Sequence, residues 1–388
     1  MIEACQDKNT ESLDKGQYFT TSELLQEKVY SFILNKPECV LEPCVGKGHL
    51  VNYIQNKMDN INFDMYEIDE TLEMIGNLNS ELVIYQNFLE SENKKKYHCI
   101  VGNPPFVKTK SGNLYHEFIL KCYELLEEKG ELIFIVPSDF LKLTSSGKIL
   151  SEMLENGTFT HIFQPNKENL FEHATIDVIV FRYCKDKKLD SKVIINDEEK
   201  YLVNTNGIIT YSETKKRKSG KSFGEDFSIF VGMVSGKENV FKNELLGDKE
   251  VLNGKNLVEK YIILENFPTD DSKVNEYMLN NKTALMERKI RKFTEKNWYQ
   301  WGALRNIESV KEHEGKDCIY VKTLTRSNEV AFIDKVRLFG GGLLIMIPKK
   351  KINLKKVIEK INSDAFRSNY MYSGRFKIGH KQLLNAMS

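Results

Sequence analysis

The first part of the sequence predicts an α/β domain with a mostly parallel sheet, and the second part predicts a mixed α+β domain. Short apolar segments alternate with amphipathic ones up to about residue 136, the pattern of a parallel sheet with helices on both faces. Loops with glycine or proline follow two of these segments, where such sheets bind ligands. The alternation stops after Lys185, so we place a first domain at residues 1–190, a basic linker at 191–225 and a second domain at 226–388.

The elements of the first domain follow from the spacing of apolar residues. Leu25, Val29 and Phe32 recur at helical spacing within residues 22–34. Short apolar or alternating runs bounded by turn residues predict strands. In chain order, the predicted elements are helix 22–34, strand 39–41, helix 49–56, strands 62–68, 82–85 and 98–102, helix 115–128, and strands 131–136 and 176–181.

Net charge differs strongly between the two parts of the chain. The 388 residues include 56 Lys and Arg and 55 Asp and Glu, and this net charge of +1 argues against a histone-like or membrane-coating protein. Residues 1–185 carry a net charge of −10, and residues 186–388 carry +11. The asymmetry indicates a polyanion as the partner of the second part, with two unrelated solvated surfaces as the alternative.

The N-terminus and the cysteines predict a protein of the reducing cytoplasm. The chain starts with polar residues and lacks an apolar signal core, and no apolar run approaches the roughly 18 residues that cross a bilayer. The seven cysteines include no Cys-x-x-Cys pair, so we expect free thiols rather than disulfides or a structural zinc.

A turn with two glycines follows the first predicted strand and precedes a helix. Gly46 and Gly48 let a ligand approach the backbone closely. A phosphate-binding loop is excluded because Lys47 is followed by glycine rather than Ser or Thr, and Val51 replaces the third glycine of a dinucleotide motif. Glu42 would repel a phosphate, whereas its carboxylate suits the amino group of a cofactor that carries an amino acid.

A second acid lies where the ribose of such a cofactor would bind. Glu67 ends the next predicted strand, 19 residues after Gly48, and a carboxylate there can accept hydrogen bonds from both ribose hydroxyls. Taken alone, Glu67 is equally well interpreted as an exposed acid at a strand end. Together with the glycine turn, the two acids favour S-adenosylmethionine over a dinucleotide.

An Asn-Pro-Pro-Phe sequence, residues 103–106, follows the strand predicted at 98–102. The two prolines stiffen the backbone and remove two amide donors, so carbonyl acceptors remain. The side-chain oxygen of Asn103 and the carbonyl of Pro104 can each accept one proton of an exocyclic amine, which directs the nitrogen lone pair towards a methyl donor. Phe106 can stack on the base. The alternative is a strand-terminating turn with a buried phenylalanine.

The order of these motifs resembles that of the gamma-class DNA adenine-N6 methyltransferases, the TaqI-like enzymes of restriction–modification systems. The resemblance covers about residues 15–185 and starts at Gly-Gln-Tyr-Phe-Thr. It implies a Rossmann-like S-adenosylmethionine-dependent methyltransferase domain followed by a target-recognition domain. The catalytic motif that it implies is Asn103, Pro104, Pro105 and Phe106. The cofactor-binding residues that it implies are Tyr18, Phe19, Thr20, Glu42, Pro43, Cys44, Gly46, Gly48, Glu67, Ile68, Asn87 and Phe88.

Three aromatic or polar positions deserve comparison with the family pattern. Asn87 stands where members often have Asp, and its side-chain oxygen can still accept from the adenine amine. Phe106 stands where many members have Tyr, and stacking does not require the hydroxyl. Phe171 corresponds to a later aromatic that packs against the flipped base, with a core aromatic as the alternative.

The resemblance implies transfer of a methyl group from S-adenosylmethionine to N6 of an adenine in double-stranded DNA. The product would be S-adenosylhomocysteine, and no metal is implied. A base within a duplex cannot reach such a site, so the target adenine is expected to be flipped out. The resemblance further implies a cytoplasmic, nucleoid-associated monomer without a membrane partner, and it is compatible with a separate cognate restriction endonuclease.

Other functions stay open at this point. RNA adenine and DNA cytosine-N4 methyltransferases can use the same catalytic loop. A glutamine methyltransferase would need an N-terminal substrate domain, and only about 40 residues precede the glycine turn. A non-catalytic DNA-binding subunit with a vestigial cofactor pocket is the alternative of another class, and the intact Asn-Pro-Pro-Phe motif speaks against it.

The second part of the chain supplies candidates for DNA binding. Runs of Lys and Arg neutralise phosphates without reading sequence, and a solvated face is the alternative for each run. Residues 297–306 contain both tryptophans, which are more often core residues than base readers. Arginine suits a guanine edge and asparagine an adenine edge. The candidates are Lys215, Lys216, Arg217, Lys218, Trp298, Trp301, Arg305, Asn306, Lys349 and Lys350.

Overall fold

The structure is a computed structural model that describes residues 18–110, 112–165, 170–171, 176–205, 208–215, 221–372 and 374–386. The chain divides into two units, residues 1–218 with 372–374, and residues 219–371 with 375–388. Counted to residue 218, the first stretch carries a net charge of −8, and residues 219–388 carry +9. The charge asymmetry seen in the sequence therefore follows the division into units.

The first unit combines four helices with a ten-stranded sheet among its described residues. The helices are α1 (Glu23–Ser31), α2 (His49–Gln55), α3 (Leu114–Leu125) and α4 (Gly147–Asn156). The strands are β1 (Cys39–Glu42), β2 (Asn62–Glu67), β3 (Val83–Tyr85), β4 (Tyr97–Gly102), β5 (Leu126–Pro137), β6 (Thr158–Phe163), β7 (Val178–Cys184), β8 (Lys192–Ile195), β9 (Glu198–Thr205) and β10 (Ile208–Ser212).

The sheet has the order β10-β9-β8-β6-β7-β5-β4-β1-β2-β3. Strands β3, β2, β1, β4 and β5 are parallel neighbours, and β7 lies antiparallel between β5 and β6. This arrangement confirms the predicted α/β fold with a mostly parallel sheet. The strand order reverses between β1 and β4, and ligands bind outside the carboxyl ends of the strands at such a reversal.

Most predicted elements of this unit lie within a few residues of the observed ones. The predicted helix 115–128 is shorter, because the chain turns from α3 directly into β5 at Leu126. The segment expected as a linker, residues 191–225, mostly continues the sheet as β8, β9 and β10. Its alternating apolar side chains Val193, Ile195, Leu202 and Ile209 are buried in the main core of the unit, which explains the difference.

Helix α1 is held against the sheet by a buried acid. The Glu131 carboxylate, on β5, accepts hydrogen bonds from the backbone amides of Leu34 and Asn35 just after α1. Arg182 on β7 donates to the same carboxylate at 2.7 Å, and both side chains are almost fully buried. This ion pair fixes where the N-terminal segment of the unit lies on the sheet.

The second unit is a mixed α+β structure, as predicted. Its strands are β11 (Phe227–Val231), β12 (Lys249–Gly254), β13 (Leu257–Tyr261), β14 (Asp317–Lys322), β15 (Leu324–Thr325), β16 (Ala331–Lys335), β17 (Leu343–Pro348), β18 (Met371–Tyr372) and β19 (Arg375–Lys377). They form a four-stranded antiparallel sheet β11-β17-β14-β16, the pair β12-β13 and the small sheet β15-β19-β18.

Short helices cover these sheets. They are α5 (Phe223–Asp226), α6 (Glu238–Phe241), α7 (Ser272–Asn280), α8 (Lys282–Met286), α9 (Ile307–Lys311), α10 (Leu354–Asn362), α11 (Asp364–Arg367) and α12 (His380–Asn385). Within the described ranges of the whole chain, no helix is both long and apolar enough to cross a membrane.

Candidate active site

The carboxyl ends of β1 and β4 bring the two predicted motifs side by side. Val40 pairs with Cys99 and Leu41 with Ile100, so the glycine turn and the Asn-Pro-Pro loop leave the sheet at adjacent positions. Gly102 permits this close packing, since a Cβ atom there would lie 3.0 Å from Oε1 of Glu42 and 3.1 Å from the Phe134 ring. The missing side chain makes room for the carboxyl group between the strands.

Glu42 is a deeply buried acid at the end of β1. Only 1% of its surface is exposed, and its Oε1 accepts a hydrogen bond of 3.1 Å from the Cys44 amide. Burial raises the pKa of Glu42 to about 8. The carboxyl group is therefore largely protonated at neutral pH, and a cation placed beside it would favour the carboxylate.

Cys44 is a poor candidate for a nucleophile. Burial and the neighbouring Glu42 raise the pKa of its thiol well above the usual range. A thiolate is the reactive form of cysteine, so this thiol does not offer the ring attack that a cytosine-C5 methyltransferase needs.

The glycine turn is tied to the end of β2 by Glu67. Gly46 and Gly48 have φ angles of +57° and +85°, in the left-handed region that favours glycine. The Gly46 amide donates to Oε2 of Glu67 at 2.8 Å, and the amides of Ile68 and Asp69 donate to Oε1. Each carboxylate oxygen can accept more than one hydrogen bond, so Glu67 keeps acceptor capacity for a ligand.

Two neighbouring oxygens hold the side-chain amide of Asn103 in one orientation. Its Nδ2 donates to the backbone carbonyl of Tyr18 at 2.7 Å and to the Thr20 hydroxyl at 3.1 Å. Its Oδ1 is buried and has no hydrogen-bond partner among the residues that the structure describes. An unpaired buried acceptor costs about 1–3 kcal/mol, so this oxygen is suited to accept a hydrogen bond from a ligand.

Four aromatic rings surround the Asn-Pro-Pro loop. Tyr18 stacks on Phe106 with ring centroids 5.5 Å apart and an angle of 25° between planes. Phe171 lies 6.1 Å from Phe106 and 5.8 Å from Tyr18, and Tyr115 contacts the edge of Phe106 at 6.2 Å. Tyr115, which carries no signal in the sequence beyond its place on a helix, thus joins the two aromatics predicted to stack on a base.

Three of the predicted motifs line one small cavity. The N-terminal segment, the glycine turn and the Asn-Pro-Pro loop all line it, although they are far apart in the chain. Its lining residues are Tyr18, Phe19, Thr20, Glu42, Cys44, Val45, Gly46, His49, Leu50 and Asn103.

Several predicted cofactor residues do not line this cavity. Pro43 packs at the strand end near Gly102, and Ile68 is 68% exposed just past Glu67. Asn87 caps a turn by accepting from the Leu89 amide at 3.1 Å. Phe88 is only 2% exposed, so its ring is part of the core, and contact with an adenine would need its neighbours to move.

Lys121 on α3 is a residue of this region that sequence analysis missed. Its ammonium donates to the carbonyls of Phe88, Leu89 and Ser91, and it lies 4.9 Å from the Phe88 ring centroid. Burial lowers the pKa of Lys121. A lysine on an amphipathic helix gives no signal of such a role, because the turn that it holds is about 30 residues away in sequence.

In the second unit, the two tryptophans are core residues. Trp298 and Trp301 are 3% and 4% exposed, and Nε1 of Trp301 donates to the Ile262 carbonyl at 2.8 Å. The buried Arg288 donates to the Trp298 carbonyl. Burial removes both tryptophans as base readers in this conformation, and their proximity in sequence reflects a shared hydrophobic cluster.

The remaining DNA-binding candidates lie mostly at the surface. Arg305 and Asn306 are exposed, and Asn306 has a φ of +57° at the start of α9. Lys349 donates to the Gly224 carbonyl, Lys350 pairs with Asp226 at 2.5 Å, and Lys215 pairs with Asp190 at 3.2 Å. The predicted Lys216, Arg217 and Lys218 lie outside the described residues.

Comparison with protein families finds a match within the first unit. Residues 30–171 match the family described as Eco57I restriction-modification methylase. This segment runs from α1 to the predicted base-stacking Phe171 and contains both strand-end loops. The resemblance to restriction–modification methyltransferases is thereby confirmed.

Curated relatives agree with this match. Type II methyltransferase M.HincII of Haemophilus influenzae is 26% identical over 227 residues, which cover 53% of this chain and 44% of that protein. Type II methyltransferase M.AccI of Acinetobacter calcoaceticus is 26% identical over 212 residues, 47% of this chain and 39% of that protein. The chain thus matches less than half the length of these relatives.

Two solved structures share the fold. The type IIL restriction–modification enzyme MmeI, in complex with DNA, superposes with a TM-score of 0.56 at 11% identity, over 93% of this chain and 63% of that chain. The DrdV–DNA complex gives a TM-score of 0.52 at 10% identity, over 87% of this chain and 49% of that chain.

Proposed function

We propose that this protein is a site-specific DNA methyltransferase that uses S-adenosylmethionine to methylate the N6 amine of a flipped-out adenine. The observation that carries the proposal is the buried, unpaired Oδ1 of Asn103 in the cavity that also holds Glu42. An amide oxygen in this state suits an amine donor, and the buried acid nearby suits a cationic ligand.

The residues around the cavity fit the amino-acid end of S-adenosylmethionine. Glu42 is the acid for its ammonium group, and the left-handed glycines keep the turn free of side chains. Glu67 has acceptor capacity for the ribose hydroxyls, and Ile68, Asn87 and Phe88 are proposed for its adenine. The bound cofactor supplies a methyl group that is already activated on a sulfonium sulfur. Tyr18, Phe19, Pro43 and Cys44 complete the proposed set.

The Asn-Pro-Pro loop is proposed to hold the target amine. Oδ1 of Asn103 and the carbonyl of Pro104 accept hydrogen bonds from its two N–H groups, which keeps the nitrogen lone pair out of ring conjugation. Pro105 keeps the loop rigid. Phe106 and Phe171 stack on the base and offset part of the unstacking cost of a few kcal/mol. Phe171 is only 4% exposed, so its neighbours must move before it contacts a base. Because the Tyr18 ring now stacks on Phe106, it must move when a base arrives.

The second unit is proposed to bind the duplex. Residues 219–388 include 30 Lys and Arg against 21 Asp and Glu, and such an excess supports binding to phosphates. We assign base contacts to Arg305 and Asn306 and phosphate contacts to Lys349 and Lys350. A monomer that works beside a separate restriction endonuclease is the simplest assembly for this arrangement.

Adenine-N6 is preferred over cytosine-N4 and over RNA because the motif order is that of adenine enzymes, although the loop chemistry suits all three. A vestigial pocket is disfavoured because Glu42, Glu67 and Asn103 all keep geometry suited to a ligand.

The test is methyl transfer from tritiated S-adenosylmethionine to duplex DNA, followed by analysis of the modified base. We expect N6-methyladenine. Asn103→Ala should lower transfer by at least about a hundredfold, the scale for loss of one preorganised catalytic contact, and should leave cofactor binding intact in calorimetry. Sequencing of modified bases in an expressing host identifies the target site.

The matched control is Asn56→Ala, which removes an exposed asparagine at the end of α2 and should keep full activity. N4-methylcytosine as the product would replace the adenine assignment. Label in RNA or protein but not in DNA would refute the proposal, as would DNA binding with no transfer to any substrate.

A further inference from the structure

Thr20 and Asn103 form a contact that the resemblance does not assign. The two residues lie 83 positions apart, and the Asn103 amide donates to the Thr20 hydroxyl at 3.1 Å. Thr20 is 5% exposed, so solvent competes little for this hydrogen bond. The contact places a residue expected in the cofactor site against the proposed catalytic amide.

The amide of Asn103 can lie in either of two orientations that differ by a half turn. In the observed one, Nδ2 uses one N–H for the Tyr18 carbonyl and the other for the Thr20 hydroxyl. A carbonyl only accepts hydrogen bonds, so the reversed amide would place Oδ1 against the Tyr18 oxygen and lose that hydrogen bond, whereas the Thr20 hydroxyl can accept from Nδ2 or donate to Oδ1. Because both N–H groups are hydrogen-bonded within the protein, Oδ1 faces away from Tyr18 and Thr20.

Thr20 is itself anchored. Gln26 on α1 donates from Nε2 to the Thr20 carbonyl at 2.7 Å. Helix α1 in turn is held to the sheet by Glu131, through the amides of Leu34 and Asn35. The Thr20 hydroxyl therefore has a defined position relative to β4, which ends just before Asn103.

We infer that Thr20 is a positioning residue for the catalytic step: the Tyr18 carbonyl sets which way the Asn103 amide faces, and the Thr20 hydroxyl holds the amide in that position so that Oδ1 receives the target amine. The inference rests on the proposed function and assigns Thr20 to the base site rather than to cofactor affinity. Without the hydroxyl, one N–H of Asn103 loses its acceptor, and the Tyr18 carbonyl alone then holds the amide in place.

Three variants test this role. Thr20→Val keeps the shape and removes the hydroxyl, and Thr20→Ser restores it. Thr21→Val is the matched control, because Thr21 is the exposed neighbour. We expect kcat at saturating cofactor to fall about tenfold in Thr20→Val, the effect of one hydrogen bond on the transition state. The Kd for S-adenosylmethionine should stay within about twofold, and Thr20→Ser should recover most of the activity.

A second readout does not depend on activity. In ¹⁵N-labelled protein without cofactor, the Asn103 side-chain amide, assigned by its loss in Asn103→Ala, should exchange its two protons slowly. Exchange should accelerate in Thr20→Val and stay slow in Thr20→Ser and Thr21→Val.

An unchanged kcat in Thr20→Val would overturn the inference, and if the cofactor Kd were also raised, Thr20 would return to the cofactor site. Unchanged amide exchange in Thr20→Val would overturn it as well. Failure of the proposed function is distinguishable, because the wild-type protein would then transfer no methyl group while the exchange experiment would still report on the amide.

Discussion

The two units differ in where their chemistry-bearing side chains lie. In the first unit, Glu42, Glu67 and Asn103 are buried or half-buried at strand ends and are held by backbone amides and carbonyls. In the second unit, the candidate cations are at the surface and the large aromatics are inside. A reaction needs polar groups kept from water, whereas phosphate binding needs charges that remain in it, so the two functions leave different traces in a sequence.

The largest effect is expected at Trp301, whose replacement tests whether the aromatic residues of the second unit form its core. Replacement with Ala should lower the free energy of unfolding of the second unit by about 3–5 kcal/mol, because the ring is buried against Phe241 and Tyr261. Urea denaturation followed by fluorescence measures it, since Trp298, the other of the two tryptophans in the chain, reports on the same unit.

Leu304→Ala is the control for that measurement. This side chain is 36% exposed, and its removal should change stability by no more than about 0.5 kcal/mol. If Trp301→Ala were as stable as the wild-type protein and lost only DNA sequence preference, Trp301 would be a base reader and the contrast between the units would fail.

The next largest effect is the pH dependence of cofactor binding at Glu42. In the ligand-free protein the carboxyl group holds its proton up to a pKa of about 8, and an ammonium ligand favours the carboxylate. Binding therefore releases a proton, and the affinity should rise with pH by up to about tenfold per unit. Calorimetry with S-adenosylmethionine between pH 5.5 and 6.5, more than about one unit below the pKa of about 7.7–8.0 of an α-amino group, measures this slope.

Glu42→Gln is the control for the slope. It should bind the cofactor more weakly and lose this pH dependence.

Glu42 also affects the pH dependence of stability. Because the folded protein holds a proton on Glu42 that the unfolded chain releases above about pH 4.5, this group lowers the free energy of unfolding as pH rises towards 8. Glu42→Gln should therefore unfold at higher urea concentration than the wild type at pH 8. A pH-independent affinity in the wild-type protein would contradict the ammonium assignment.

The smallest effect is at the surface of the second unit. Lys349→Gln should reduce the slope of log affinity against log salt by about 0.9, the value for one phosphate contact. Lys350→Gln should reduce it less, because Asp226 already pairs with this lysine. Fluorescence anisotropy of a labelled duplex between 50 and 200 mM salt measures both, and an equal slope in Lys349→Gln and wild type would place the phosphate contacts elsewhere.

Prediction from the sequence succeeded where local pattern determines structure. The alternation of strands and helices, the glycine turn after β1 and the Asn-Pro-Pro loop after β4 each follow from a few consecutive residues. It was less successful for residues 191–225, where a charged composition hid the alternating apolar side chains of β8 to β10. It named Trp298 and Trp301 among the DNA-binding candidates although two tryptophans so close in sequence are more often core residues, and the structure buries both.

The sequence by itself determined which chemical groups are available and at which strand ends they lie, since strand period, glycine conformation and proline stiffness are local properties. Only the tertiary structure decided the protonation and the orientation of these groups. Burial between β1 and β4 raises the pKa of Glu42, and the N-terminal segment orients the Asn103 amide from 83 residues away. Both depend on desolvation and on hydrogen bonds between distant segments, which arise when the strands pack together.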